Sequence, residues 1–409
     1  MARKEIQVGL EIGTTKVCAV VAECQENGGI RILGVGETPS RGVRKGEIVD
    51  FENASNCVRD ALSDAEEKSD VEIESVWLAV TGSHIRSFNN RGSANIPEES
   101  SEITEEEIQD VEFKAKEISL PKENAILHSI IQHYYVDGQE GVLNPVGMLG
   151  SRLEADFHII HGVTNRIQNS IRCVKECHIE VEDVVVSSLA SAQVVLGENQ
   201  KESGALVIDI GGGVTDYIVY LDGAVRHSGV LAVGGDHITN DISIGLRIPI
   251  TRAEKLKTEE GSAELGKSLP GEKIVLKNDT GFSGKEVERE MLNMIMHARL
   301  EELFVLLKKR LSGEVSEHLI GAGVMLTGGC SQIRGIRGIA ESVFGMPVHL
   351  TRAQAVSGPT SAYENPQFST CIGLAKYAQA VRSEMPESSF LKGFLGNFFK
   401  KISPFSSRR

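Results

Sequence analysis

Two stretches decide the fold: GLEIGTTKVCAVV at residues 9–21 and VIDIGGGVTDYIVY at residues 207–220. Each is an apolar run carrying a single acid, a glycine turn with threonine, and a returning apolar run. Short apolar runs rich in β-branched residues and broken by glycine read as strand, turn, strand. Two such hairpins about 200 residues apart point to a duplicated domain with a cleft between its halves. The predicted class is α/β, with two related domains.

Such a hairpin has a chemical use. Glycines let backbone N–H groups approach phosphate oxygens and converge as an anion nest. Thr14, Thr15 and Thr215 add hydroxyl donors, and Lys16 adds a positive charge. An acid facing phosphates needs a cation between them. Asp209 and Asp216, with Glu11 as the matching acid of the first hairpin, suit Mg²⁺, which prefers carboxylates acting partly through water. Taken singly, each stretch is also compatible with an ordinary glycine hairpin; the pair is more specific than either member. The chain carries no P-loop signature.

Composition narrows the classes. The 409 residues are 41 % apolar and 24 % charged, an ordinary globular balance with room for two or more cores. A net charge of −14 and a pI of about 5.4 argue against a non-specific nucleic-acid binder. The charge is uneven: from Ser388 onward come Lys392, Lys400, Lys401, Arg408 and Arg409 and no acid, so the tail reads as having its own partner. Seven scattered cysteines, an odd number without framework spacing, read as reduced thiols. Cys173 and Cys177 can share a helix face but lack a second ligand pair. The N-terminus has no signal-peptide h-region, and no run of about 18 apolar residues exists to span a membrane.

Along the chain, 53–66, 165–177, 189–196 and 371–381 are predicted helices, while 75–80, 181–186 and 324–329 are predicted strands. Residues 84–163 read as a separate small unit, one helix capped by Thr104 and Glu107 plus several strands. Residues 250–312 are predicted mostly helical, broken near 261–284.

With LTGGCSQIRG at 326–335, the two hairpins resemble the phosphate and adenosine motifs of the actin, sugar-kinase and heat-shock-chaperone superfamily. GLEIGTTKV, VGETPSRGVRKGEIVD, LNPVGMLGSRLEADFHIIHG, SLASAQVVL, VIDIGGGVTDYIVY and TRAEKLKTEEG, taken in order, resemble the FtsA family of bacterial cell-division proteins over nearly the whole chain. The resemblance implies an actin-like duplicated fold with an interdomain nucleotide cleft and a C-terminal amphipathic helix. It implies ATP and Mg²⁺ as cofactors. Carried over, Glu11, Gly13, Thr14, Thr15 and Lys16 form the first phosphate loop, and Asp209, Gly211, Gly212, Gly213, Thr215 and Asp216 the second. Gly234 and Gly235 lie at the next turn, Glu254 and Lys257 at the ribose and adenine, and Gly328, Gly329 and Ser331 in the adenosine loop. In chaperone and actin relatives, the segment matching VVVSSLASAQVVL supplies a Glu or Gln near a catalytic water. Here Ser187 stands at that place and Gln193 is the segment's only amide, so tight ATP binding with slow turnover is expected.

The implied partition is 1–83 and 164–204 for the first domain, 84–163 for an inserted self-association subdomain, and 205–233 and 313–360 for the second domain's core. Residues 234–312 form a helical subdomain for adenosine and partner contacts; 361–378 return to the first domain, 379–389 link, and 390–409 target the membrane. The implied function is an adaptor that tethers the tubulin-like FtsZ to the cytoplasmic face of the inner membrane at the division site and self-polymerises. Its partners are the FtsZ C-terminal tail, further copies, anionic lipid and other division proteins, with no nucleic acid. Alternatives are a pilus-assembly-type relative and a small-molecule kinase of the same fold.

Two segments carry the partner expectations. A helix over about Glu286–Leu311 mixes Met291, Met294 and Met296 with Arg289 and Arg299, which suits a short acidic-apolar tail; a core helix with solvated charges is the competing reading. At 100° per residue, Phe390, Leu391, Phe394, Leu395, Phe398, Phe399 and Ile402 fall within about half a helical wheel. Lys392 and Lys400 lie opposite and Lys401 near the edge, the pattern of an interfacial helix.

Overall fold

A computed structural model of the chain describes residues 5–97, 102–278 and 282–384. The stretches from 385 onward, with the whole amphipathic segment and its seven apolar and three lysine positions, lie outside the described residues.

The duplication is visible in strand order. In the first domain five strands run in the order Glu180–Val186, Ser75–Val80, Ile6–Ile12, Lys16–Cys24, Ile30–Pro39, with Val356–Ser357 added at the edge. In the second they run Val348–Leu350, Val324–Thr327, Ala205–Ile210, Thr215–Leu221, Ala224–Leu231. Each central strand pairs antiparallel with the next and parallel with a later one. The register makes Glu11 the counterpart of Asp209: Glu11 faces Cys18 across its hairpin, and Asp209 faces Asp216.

Apolar spacing builds the layers. The helix Phe51–Ser69 is capped by Asp50, whose side chain accepts from Asn53 N. It buries Ala54, Cys57, Val58, Ala61, Leu62 and Ala65, at three- and four-residue spacing. The opposite faces of both sheets share one apolar layer. Val20 and Trp77 from the first, Val207 and Ile218 from the second, and the helices Ser187–Val195 and Ser369–Glu384 meet there. That shared layer sets the two glycine turns facing each other.

Between Arg86 and Val163 lies a four-stranded antiparallel sheet with the helix Glu105–Lys116, whose capping box of Thr104 and Glu107 forms as expected. It has its own core around Ile103, Val111, Leu153 and Ile159. Against the second domain it presents polar groups instead. Ser87 Oγ donates to Ser228 O (2.7 Å), Gln132 Nε2 to Val225 O (2.6 Å) and Asn89 Nδ2 to Arg226 O (3.1 Å). His158, fully buried, bonds Asn89 Oδ1 at 2.7 Å and Ser228 Oγ at 2.8 Å.

Burial, with His227, His128 and Arg226 nearby, pushes His158 from 6.5 down to about 3. The folded value lies below the unfolded one, so its stabilisation is complete above pH 6.5 and is lost as pH falls toward 3. His158→Asn is expected to cost about 1–3 kcal/mol at pH 7 by leaving buried partners unpaired. The gap in melting temperature between parent and variant should narrow from pH 7 to pH 4. A gap independent of pH excludes His158 as the titrating group.

Three sequence expectations need correction. Residues 285–288 are a strand paired with Lys273–Leu276, so the long helix starts at Arg289 and not at Glu286. Met296 is fully buried, whereas Met291 and Met294 are 42 % and 46 % exposed. The return helix runs to Glu384 and covers the first six residues of the expected linker, held by Arg382 to Glu182 (2.6 Å) and Glu5 (3.4 Å).

Candidate functional site: a cleft between paired glycine turns

The two turns have the same closure: Gly13 N donates to Lys16 O at 2.9 Å, and Gly211 N to Val214 O at 3.0 Å. They interlock. A side chain on Gly212 would run into Thr15 Oγ1, and one on Gly213 into Thr14 Oγ1, so glycine is required by close approach. Among the described residues the amides of Thr14, Thr15, Gly212 and Gly213 have no hydrogen-bond acceptor. Four unspent N–H groups at facing turns form a cradle suited to an anion.

Acids gather behind the cradle. Lys16 Nζ pairs with Glu11 Oε2 at 3.0 Å and lies 5.6 Å from the Phe368 ring centre. Burial alone would lower the Lys16 pKa; the Glu11 carboxylate holds it above its ordinary range. Asp209 accepts from Thr370 Oγ1 (3.0 Å), and Asp216 from Thr81 Oγ1 (2.6 Å). Burial and Glu11 push Asp209 up to about 7, against Thr370, Lys16 and Ser191. Burial raises Asp216 well above the carboxylate range, opposed by Thr81 and helped by Asp209 and Glu11. Three carboxyls against one enclosed ammonium are short of positive charge.

No group of three or more His, Cys, Asp or Glu side chains that could hold a metal by themselves occurs among the described residues. Cys173 and Cys177 are free thiols, both raised by burial. The acids of the cleft nevertheless fit a hydrated Mg²⁺, whose remaining ligands are water and phosphate oxygens.

The other expected residues ring the same cleft. Gly235 N donates to Gly211 O (3.0 Å) and Asp236 N to Gly212 O (2.8 Å), so the Gly234–Gly235 turn leans on the second phosphate turn. Gly328 has φ 84°, and any side chain there would strike Asp209 Oδ1. Gly329 follows it. Ser331 Oγ donates back to Gly328 O at 2.7 Å. On the helix Ile250–Glu259, the buried Lys257 reaches Glu254 Oε2 (2.6 Å), Thr239 Oγ1 (2.8 Å) and Gly235 O (3.3 Å); Glu254 also contacts Thr239. Glu254, with its side chain 41 % exposed, is the member of that pair open to a ligand.

Some expected groups point elsewhere. Thr215 Oγ1 is buried and donates to Val233 O at 2.8 Å, spending its proton inside the fold. Ser187 Oγ bonds Val80 O (3.3 Å) and Gln193 Nε2 bonds Leu189 O (3.4 Å). Arg289 is taken up by Glu260 (2.7 Å) and Glu272 (2.6 Å). Arg299 pairs with Asp241 (2.5 Å) and with Glu302. It lines an open groove of about 390 Å³ between the helices Gly235–Leu246 and Arg289–Leu311, with Ile244, Ile295 and Ala298. Sequence reasoning gave no role to Thr81, Thr370 or Thr239. One signal was available: TGSHIR at 81–86 echoes TGGCSQIR at 327–334.

Comparison with known proteins places this architecture. A family model described as "Cell division protein FtsA" matches residues 206–373, and one described as "SHS2 domain inserted in FTSA" matches residues 82–161. Cell division protein FtsA of Pseudomonas aeruginosa is 38 % identical over 377 residues, covering 92 % of this chain and 90 % of the relative. The chain belongs to the FtsA family. FtsA of Escherichia coli K12 is 35 % identical over 411 residues, 98 % of this chain and 97 % of that one. Among solved structures, a "PilM-PilN type IV pilus biogenesis complex" aligns with a TM-score of 0.63 at 15 % identity, covering 94 % of this chain and all of that one. MreB5 of Spiroplasma citri bound to ADP aligns with a TM-score of 0.53 at 16 % identity, covering 93 % and 99 %. These likenesses place the FtsA-family chain in the actin-like fold. No described helix is long and apolar enough to cross a membrane.

Proposed function

We propose that the chain is an ATP-binding, actin-like adaptor that tethers FtsZ polymers to the cytoplasmic face of the membrane at the division site and polymerises with itself. The carrying observation is the four-amide cradle between interlocked turns, backed by acids in need of a cation. Nucleotide-bound MreB5 structures with ADP and AMPPNP support the same use of the fold.

In this reading Asp209, Asp216 and Glu11 would hold a hydrated Mg²⁺, which would supply positive charge between the phosphates and the acids. Thr14, Thr15, Gly212 and Gly213 would donate their amides to phosphate oxygens, and Glu254 would contact the ribose. Lys16 stays with Glu11 and keeps that acid from being an uncompensated charge. With Ser187 bonded to Val80 O in place of a water-orienting carboxylate or amide, turnover is slow.

The Arg299 groove suits the FtsZ tail. Its floor is apolar, and a tail carboxylate can replace Glu302 on the guanidinium. Mixed with Mg-ATP, anionic vesicles and FtsZ polymers, the chain is expected to float FtsZ with the vesicles. Folded Arg299→Glu protein should itself float yet leave most of the FtsZ behind. FtsZ floating equally well with that variant removes Arg299 from the contact. A parent that never carries FtsZ overturns the adaptor reading.

A further inference from the structure

Among the described residues, the lysine of the first phosphate turn is not free for the outer end of a polyphosphate. Lys16 is enclosed and committed to Glu11. Another lysine stands at the cradle. Val43–Arg44 and Glu47–Ile48 form a two-residue hairpin with Lys45 and Gly46 at its tip, at φ 51° and 74°. Two positive φ values in succession define a type I′ turn, which favours Asn, Asp or Gly at its first position. A lysine there is strained, and such strain concentrates where a side chain has work at a site.

The tip touches both phosphate turns. Gly46 N donates to Thr14 Oγ1 at 3.0 Å, and a side chain on Gly213 would press on Lys45 Cα at 2.9 Å. A side chain on Gly46 would meet Thr81 Cγ2 at 2.8 Å, and Thr81 holds Asp216. The Lys45 side chain is exposed and makes no ion pair among the described residues. It acts across the cleft on His237, in the first turn of the helix Gly235–Leu246; burial, then Lys45 and Arg299, lowers that imidazole's pKa. Gly213 lies against Lys45 Cα, and Gly212 lies close to Asp236 in the first turn of that helix, so the exposed Lys45, the helix start and the four open amides lie close together.

We propose that Lys45 is the group that recognises the terminal phosphate of a bound nucleoside triphosphate, so that the hairpin tip distinguishes triphosphate from diphosphate. This rests on the nucleotide reading above. An extra phosphate beyond the amide cradle meets a cation anchored by its own loop to Thr14 and Gly213. A diphosphate ends short of it and leaves the tip without a ligand.

Lys45→Asn removes the charge while supplying a residue at ease in the turn, and Lys45→Arg keeps the charge. Titration with fluorescent ATP and ADP analogues at fixed Mg²⁺ reads both affinities. The parent should prefer the triphosphate by about tenfold or more, the effect of one charge-assisted contact. Lys45→Asn should lose that preference, with diphosphate affinity within about twofold of the parent and an apo melting temperature no lower; Lys45→Arg should keep it. A preference unchanged in Lys45→Asn, or equal losses for both nucleotides, overturns the assignment. A parent that binds neither nucleotide overturns the nucleotide reading itself, a different result from intact binding without discrimination.

Discussion

Asp209→Asn is expected to weaken Mg-ATP binding by about a hundredfold or more while leaving the unliganded fold at least as heat-stable as the parent. The two effects share one cause. The Asp209 carboxyl is buried beside Glu11 and Asp216, and its pKa rises from 3.8 to about 7. A folded value above the unfolded one means that ionisation opposes folding: the cost begins above pH 3.8 and is complete above about pH 7. At pH 8 the unliganded parent therefore carries a penalty on the order of a few kcal/mol, which the dication would relieve. Asparagine keeps an oxygen for the Thr370 hydroxyl but brings no charge. Its stability gain should accordingly be larger at pH 8 than at pH 5. Calorimetric titration with Mg-ATP, and melting curves at the two pH values, test both halves. Parent-like Mg-ATP affinity in the asparagine variant would remove Asp209 as the cation's anchor.

The repeated hairpins were legible in the sequence because their chemistry is local. Acid, glycine turn and returning strand fall within about a dozen residues, and strand periodicity reports burial directly. The contacts that tune the acids were not legible beyond the TGSHIR echo at 81–86. Thr81 reaches Asp216 across 135 positions and Thr370 reaches Asp209 across 161, separations over which no local pattern speaks. Ala224–Leu231 was missed because AVRHSGVL breaks its apolar run with Arg226, His227 and Ser228; the backbone carbonyls of Arg226 and Ser228 and the Ser228 hydroxyl meet the inserted unit, while His227 bonds Tyr217. The hairpin before Arg289 was missed because KEVE has weak strand propensity and is followed by strong helix formers. The methionines were a readable error. At 100° per residue Met291 and Met294 sit 60° apart, whereas Met296 points well away from both; it is the one in the core.

Phe394→Glu combined with Phe398→Glu is expected to release the chain from anionic vesicles almost completely while Mg-ATP binding stays intact. The segment from Phe390 lies outside the described residues, so the expectation rests on its sequence and on where the described chain leaves it. The last described helix is tied at Arg382 to the first domain, and Pro386, which disfavours helix just before it, follows Glu384. Beyond it, seven apolar side chains on one side of a wheel could contribute on the order of 5–10 kcal/mol in a lipid interface before ordering costs. Each of Lys392, Lys400 and Lys401 adds up to about 1 kcal/mol on anionic lipid. Gly393 and Gly396 would weaken a helix here in water, so binding and folding would be coupled. Two glutamates would replace two apolar side chains of the wheel with charges that an anionic surface repels, so the expected loss is cooperative. A single such helix binds reversibly, and self-association would add avidity. Replacing Lys400 and Lys401 by glutamine should weaken binding more modestly, and the difference should shrink as salt rises because surface charge is screened over about 8 Å at physiological ionic strength. If the double glutamate variant floats as well as the parent, the membrane contact lies elsewhere on the protein. If it is released but no longer binds Mg-ATP, the substitutions have disturbed the body and the comparison must be repeated with the tail removed after Glu384.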